Sequence, residues 1–154
     1  MAKQLAKLTI ETPEEMHELG LKLASVLKAG DLVLLTGPLG AGKTTLTRGI
    51  GEALGAQGNV SSPTFVLART HSCGQGKPAL VHVDAYRLSS AAELDDLDID
   101  FANSITVVEW GKGLTDGITN DWLEVEIERD HTGESDVRQL LITGFGDRWN
   151  GVSF

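Results

Sequence analysis

Residues 37–44 read Gly-Pro-Leu-Gly-Ala-Gly-Lys-Thr, the Gly-x-x-x-x-Gly-Lys-Thr spacing of a loop that cradles phosphates. Gly37 opens the turn. Gly40 and Gly42 carry no side chain, so the backbone can come close to a polyphosphate. The N–H groups of Gly40, Ala41, Gly42, Lys43, Thr44 and Thr45 can then point at phosphate oxygens, helped by the dipole of the helix that follows. The Lys43 ammonium neutralises β- and γ-phosphate oxygens, and the Thr44 hydroxyl is a ligand for Mg²⁺. This residue set predicts a nucleotide–Mg²⁺ site.

Hydrolysis needs more: an acid to hold the metal shell and a group to position the attacking water. Residues 80–84, Leu-Val-His-Val-Asp, are an apolar strand ending in an acid, the Walker B arrangement, and Asp84 is the candidate metal ligand. An aspartate that merely caps a turn is the plainer alternative. Ala85 follows, so the adjacent glutamate of many ATPases is missing. Residues 105–109, Ile-Thr-Val-Val-Glu, also end in an acid. If both strands lie parallel beside the loop strand, Asp84 and Glu109 emerge at one edge, where Glu109 orders the water or completes the metal shell. Thr64, in Ser-Ser-Pro-Thr-Phe at 61–65, lies where GTPases place a γ-phosphate-sensing switch; a strand-entry turn fixed by Pro63 fits equally well. His82 alternates with Val81 and Val83 and reads as a hydrogen-bonded structural histidine, not a base.

The elements that must hold these residues follow from periodicity and punctuation. Residues 5–11 suit a short strand, and Thr12-Pro13-Glu14-Glu15 starts a helix as a capping box with proline in the first turn. Met16, Leu19, Leu23, Val26 and Leu27 recur at helical spacing, with Gly30 as the stop. A strand over 32–36 feeds the loop, and a helix over 43–54 leaves it, with Leu46, Ile50, Ala53 and Leu54 on one face and Gly55 at its end. Strands are predicted at 65–70, 79–84 and 105–109, with a short acidic helix opened by a capping box at Ser90. Leu123, Val125 and Ile127 alternate with Glu124, Glu126 and Glu128, the pattern of a strand with one wet face, and 137–143 completes a hairpin through a turn at 131–135. Strand and helix alternate first and antiparallel strands follow. The expected fold is a three-layer α/β domain of P-loop NTPase type, its mixed sheet mainly parallel with an antiparallel C-terminal hairpin. No repeat or linker divides the chain, so residues 1–154 are expected to form one domain with a tail from about 145.

Composition narrows the function classes. The net charge is −9 and the 13 Lys and Arg are scattered, which disfavours direct binding of nucleic acid. No apolar run suits a membrane span, no signal peptide is recognisable, and a single cysteine, Cys73, fits a reducing cytoplasm. A GTPase would carry Asn-Lys-x-Asp, which is absent, and its Asp-x-x-Gly switch would need glycine where Arg87 stands. A free-standing small-molecule kinase is the stronger rival, although the chain has few arginines for a lid and little length to build one. The acidic run at 93–100 is a solvated face or a patch for a basic partner. Phe145, Trp149 and Phe154 crowd the C-terminus, either packed onto the domain or covered by a partner.

Four motifs in order, Gly-x-Leu-Gly-Ala-Gly-Lys-Thr-Thr at 37–45, Ser-Pro-Thr-Phe at 62–65, His-x-Asp-x-Tyr-Arg at 82–87 and Glu-Trp at 109–110, resemble the TsaE family over about residues 10–128. That resemblance implies a small ATPase using ATP and Mg²⁺ in threonylcarbamoyl-adenosine modification of tRNA. It would act with TsaD and TsaB homologues and touch tRNA only indirectly. It gives Thr44 and Glu109 as magnesium ligands, Asp84 as a catalytic acid near the metal, and Thr64 as the switch-like residue. Tyr86, Arg87 and Trp110 match positions that frame the site or the partner surface. Three positions depart from the pattern: Met16 where threonine is common near the adenine, Gly111 where proline is frequent, and Gly133-Glu134 where an arginine is often found. These departures bear on contacts to the base, not on phosphate chemistry.

Overall fold

Thr12 starts the first helix as its type predicts. In the computed structural model its Oγ1 accepts the Glu15 N–H at 3.1 Å, Pro13 occupies the first turn, and α1 runs Pro13–Val26. Such a cap contributes about 1 kcal/mol. The structure describes residues 2–38, 41–58, 60, 68–85, 88, 93, 97–110, 119–129, 137–152 and 154. The chain leaves α1 at Leu27, short of Gly30, because the Asp31 carboxylate captures the Lys28 N–H at 2.8 Å and closes a turn there.

Among the described residues seven strands form one sheet: β1 (Ala2–Ile10), β2 (Leu32–Thr36), β3 (Ala68–His71), β4 (Ala79–Asp84), β5 (Ser104–Glu109), β6 (Trp122–Arg129) and β7 (Arg138–Phe145). Their order is β1-β7-β6-β2-β5-β4-β3. β6, β2, β5 and β4 run parallel; β7 on one side and β3 on the other run opposite to them, and β1 pairs antiparallel with β7. The mixed sheet, parallel through its four central strands and with an antiparallel C-terminal hairpin, is therefore observed, and β6 serves both halves. It pairs parallel with β2 and antiparallel with β7. The central strands β2 and β5 are buried along almost their whole length; β2 is a nearly continuous apolar run, while β5 also buries Ser104, Thr106 and Glu109.

Helices α1 and α2 (Lys43–Leu54) share one face of the sheet, where Met16, Leu23, Leu46 and Ile50 pack on Val33, Leu35, Val107 and Val125. The helices touch through glycine. A Cβ on Gly49 would lie 2.2 Å from the His17 carbonyl oxygen, and one on Gly20 would lie 2.4 Å from that of Leu46. Only two residues without side chains allow this approach. On α2 the buried stripe passes through Leu46, Thr47, Gly49 and Ile50, and Ala53, expected on that face, is exposed because the helix turns toward α1. The opposite face of the sheet is covered, among the described residues, by Leu88, Leu97, Ile99, Phe101 and Trp122, with a 3-10 turn at Phe101–Asn103. This cover also changes the expected wet face of β6. Glu128 is exposed, but Glu124 is buried and accepts the Trp122 Nε1–H at 3.2 Å.

The C-terminal aromatics belong to the fold. Phe145 stacks on Trp122 with ring centres 4.6 Å apart, Trp149 is 1% exposed in the helix-side core, and Phe154 packs against that core. Arg148 ties the tail down by donating twice to the Asp31 carboxylate, at 3.0 and 2.9 Å, and once to the Val26 carbonyl. The expected acidic helix after Ser90, the turn at 131–135 and the start of the strand at 65–67 lie outside the described residues.

Candidate active site

Strands β4, β5 and β2 end side by side, and that edge gathers the predicted acids and the loop. Asp84 is the register partner of Glu109, and Glu109 in turn faces Leu35, one residue before Thr36 and the turn into the loop. Parallel pairing brings both carboxylates to the C-terminal edge, where ligands of open α/β sheets sit. Asp84 is half-buried and Glu109 is 4% exposed.

Within the loop, Gly42 is the cap of α2 with φ +109, a left-handed conformation that a side chain would strain. Met16 lies directly against it: a Cβ on Gly42 would come 3.1 Å from Met16 Cε. Ala41 is buried and donates its N–H to the Pro38 carbonyl at 3.0 Å. Thr44 and Thr45 stand half-buried on the first turn of α2, and Thr47 donates its hydroxyl to the Lys43 carbonyl at 2.8 Å. Gly37 is buried and turns its carbonyl toward Lys43. Gly40, Thr64, Tyr86 and Arg87 lie outside the described residues.

Lys43 is the electrostatic centre. Its ammonium donates to the Gly37 carbonyl at 2.5 Å and the Pro38 carbonyl at 3.1 Å, and it lies 4.3 Å from the centre of the Trp110 ring. Burial pulls its pKa below the usual lysine value, opposed by the negative charges of Glu109 and Asp84. The ring face adds a cation–π attraction of roughly 0.5–2 kcal/mol. Trp110 reaches this position through an unusual backbone. Its φ is +64, rare for an aromatic residue and a strain of about 1–3 kcal/mol, and its N–H on the Leu35 carbonyl at 2.9 Å holds it there.

His82 is hydrogen-bonded, as its alternation suggested, but its partner is the Glu109 carboxylate: Nε2 lies 2.6 Å from Oε2, with both groups buried. Two further contacts escaped the reading of the sequence. The placement of Trp110 over Lys43 depends on a positive φ that no local motif announces. Arg138, at the start of β7, donates Nε–H to the Ala41 carbonyl at 3.2 Å across 97 residues of chain. No sequence signal links that strand-end arginine to the loop.

The donor set fits Mg²⁺. Thr44 Oγ1 and the carboxylates of Asp84 and Glu109 are hard oxygen ligands, the type this ion takes. Among the described residues no group of three or more His, Cys, Asp or Glu could hold a metal by itself.

Comparison with known proteins gives matches to one family. The family model described as "Threonylcarbamoyl adenosine biosynthesis protein TsaE" matches residues 10–139. A relative from Streptomyces coelicolor, named tRNA threonylcarbamoyladenosine biosynthesis protein TsaE, is 56% identical over 139 residues, covering 87% of this chain and 93% of the relative. A Bacillus subtilis protein of the same name is 34% identical over 148 residues, covering 96% and 90%. The crystal structure of Bacillus subtilis YdiB superposes with a TM-score of 0.77 at 30% identity, covering 97% of this chain and 91% of that one. No described helix is long and apolar enough to cross a membrane.

Proposed function

The chain belongs to the TsaE family, and from that premise we propose that it is a magnesium-dependent ATPase that supports threonylcarbamoyl-adenosine modification of tRNA by acting on a TsaD–TsaB complex. The observation that carries the reading is the meeting of Lys43 with Asp84 and Glu109 at one sheet edge, beside a loop of phosphate-binding sequence. Backbone N–H groups of residues 40–45 receive the phosphates of ATP, and Lys43 moves its donors from the Gly37 and Pro38 carbonyls to the β- and γ-oxygens. Thr44, Glu109 and Asp84 would hold Mg²⁺, which supplies neutralisation of the phosphate charge. Asp84 and Glu109 are the groups that order the attacking water and accept its proton. Thr64 senses the γ-phosphate and passes that state to the partner complex.

A switch that distinguishes ATP from ADP can change a partner's affinity, and by linkage the partner changes nucleotide binding. The deciding experiment compares ATP turnover by the isolated chain with turnover in the presence of a TsaD–TsaB complex, and scores tRNA modification over many cycles with and without this protein. Slow turnover alone, acceleration by the complex and a requirement for this chain in multiple cycles are the expected results. Turnover indifferent to the complex, together with phosphate transfer to a small metabolite, would overturn the reading in favour of a free-standing kinase. Direct tRNA binding is expected to be weak, since a −9 surface repels the phosphate backbone.

A further inference from the structure

His82 lies in the core beneath the reaction edge, with no solvent exposure, and holds one oxygen of the Glu109 carboxylate at 2.6 Å. Its other ring nitrogen, Nδ1, is buried and has no hydrogen-bond partner among the described residues. The contact with a carboxylate oxygen calls for a proton on Nε2. A proton on Nε2 gives a donor to Glu109 Oε2 and leaves Nδ1 as a bare acceptor; the other tautomer would set a lone pair against a carboxylate oxygen. An orphaned acceptor in an apolar core is destabilising. Leu80 and Val83, neighbours on the same strand and also without exposure, fill their positions with hydrocarbon alone. A leucine at 82 would fill this one without the orphaned nitrogen. What the imidazole supplies that leucine cannot is the hydrogen bond to Glu109.

We propose that His82 is a positioning residue for Glu109. Its Nε2–H fixes Oε2, restricts the three side-chain torsions of the glutamate, and leaves Oε1 as the oxygen presented to the phosphate edge beside Asp84 and Lys43. Glutamate otherwise has considerable rotamer freedom, and a carboxylate misplaced by about 1 Å can lose a hundredfold in rate. The inference rests on the ATPase reading given above.

The test compares wild type with His82→Leu and His82→Gln. The glutamine amide reaches about as far as Nε2 and can donate to the same oxygen, whereas leucine keeps the volume and removes the donor. For ATP hydrolysis, His82→Leu should lower kcat about tenfold or more while KM stays within about twofold, and His82→Gln should return kcat to within about threefold of wild type. Affinity for a non-hydrolysable ATP analogue without Mg²⁺ should be the same in all three, and the gain in affinity on adding Mg²⁺ should shrink in the leucine variant and return in the glutamine variant. An unchanged kcat in the leucine variant, a folded glutamine variant as impaired as leucine, or loss of metal-free affinity in both would overturn the proposal. Should the leucine variant not fold, His82→Asn replaces it, since its amide is too short to reach Glu109 and should fail where glutamine succeeds. If wild type hydrolyses no ATP with or without partners, the ATPase reading fails separately. The binding arm then decides: a Mg²⁺ gain that falls in leucine and recovers in glutamine supports positioning, and an equal gain in all three sinks it.

Discussion

Lys43 is held by two loop carbonyls and the Trp110 ring. Their attraction offsets part of what burial costs, so removing the side chain takes away both terms and should leave the fold standing. Lys43→Ala is expected to abolish ATP binding or hydrolysis while the melting temperature moves by only a few degrees. Isothermal titration with ATP and a thermal melt check this, and a folded variant with unchanged affinity and turnover would falsify the assignment. Glu109→Ala is expected to act differently, because a carboxylate that works on metal or water matters most as charge develops in the transition state. Hydrolysis should fall about 100-fold or more while metal-free ATP affinity stays within about threefold. Equal losses of affinity and turnover would make Glu109 a binding or folding residue instead.

At the scale of elements, the loop is aimed by α2, and α2 is seated by its crossing with α1. Gly49 is the contact at which this seating is least tolerant, since a Cβ there would meet the His17 backbone at 2.2 Å. A backbone atom cannot swing aside as a side-chain tip can. Gly49→Ala should therefore push the helices apart, costing about 3 kcal/mol and lowering Tm by roughly 6–12 °C in a chain of this size. The increase in intrinsic helix propensity, about 1 kcal/mol, acts in the opposite direction and is the smaller effect. A melt showing a stabilised Gly49→Ala variant would mean that the crossing relaxes freely.

For the whole molecule, the tail is a structural part of the sheet's helix side. Trp149 is 1% exposed against Gly144 of β7, and the neighbouring Arg148 reaches Asp31 just before β2. Trp149→Ala should cost about 3–5 kcal/mol, as large aromatic deletions in cores do. Denaturant unfolding measures it, and a loss below about 1 kcal/mol would show that the tail is dispensable to the fold. The aromatics of the tail are used internally. The charge of −9 favours a protein with basic patches over RNA.

Local structure was legible in the sequence because it depends on neighbours along the chain. The spacing at 37–44 specified the loop, Thr12 and Gly55 marked helix ends that the structure places at the same positions, and apolar runs ending in Asp84 and Glu109 located two strand ends. Parallel order was readable only as a condition; pairing of β4 with β5 and of β5 with β2 met it. The burial of Glu124 on a face expected to be wet came with the Trp122 indole, two residues earlier on the same strand, whose Nε1–H it accepts. His82 on Glu109, Trp110 over Lys43 and Arg138 on the Ala41 carbonyl were decided by tertiary structure alone. Each joins residues from separate elements, and their meeting depends on strand order, register and one positive φ. A period or a motif records how a residue relates to its own helix or strand, and these contacts are set by how the elements pack on one another.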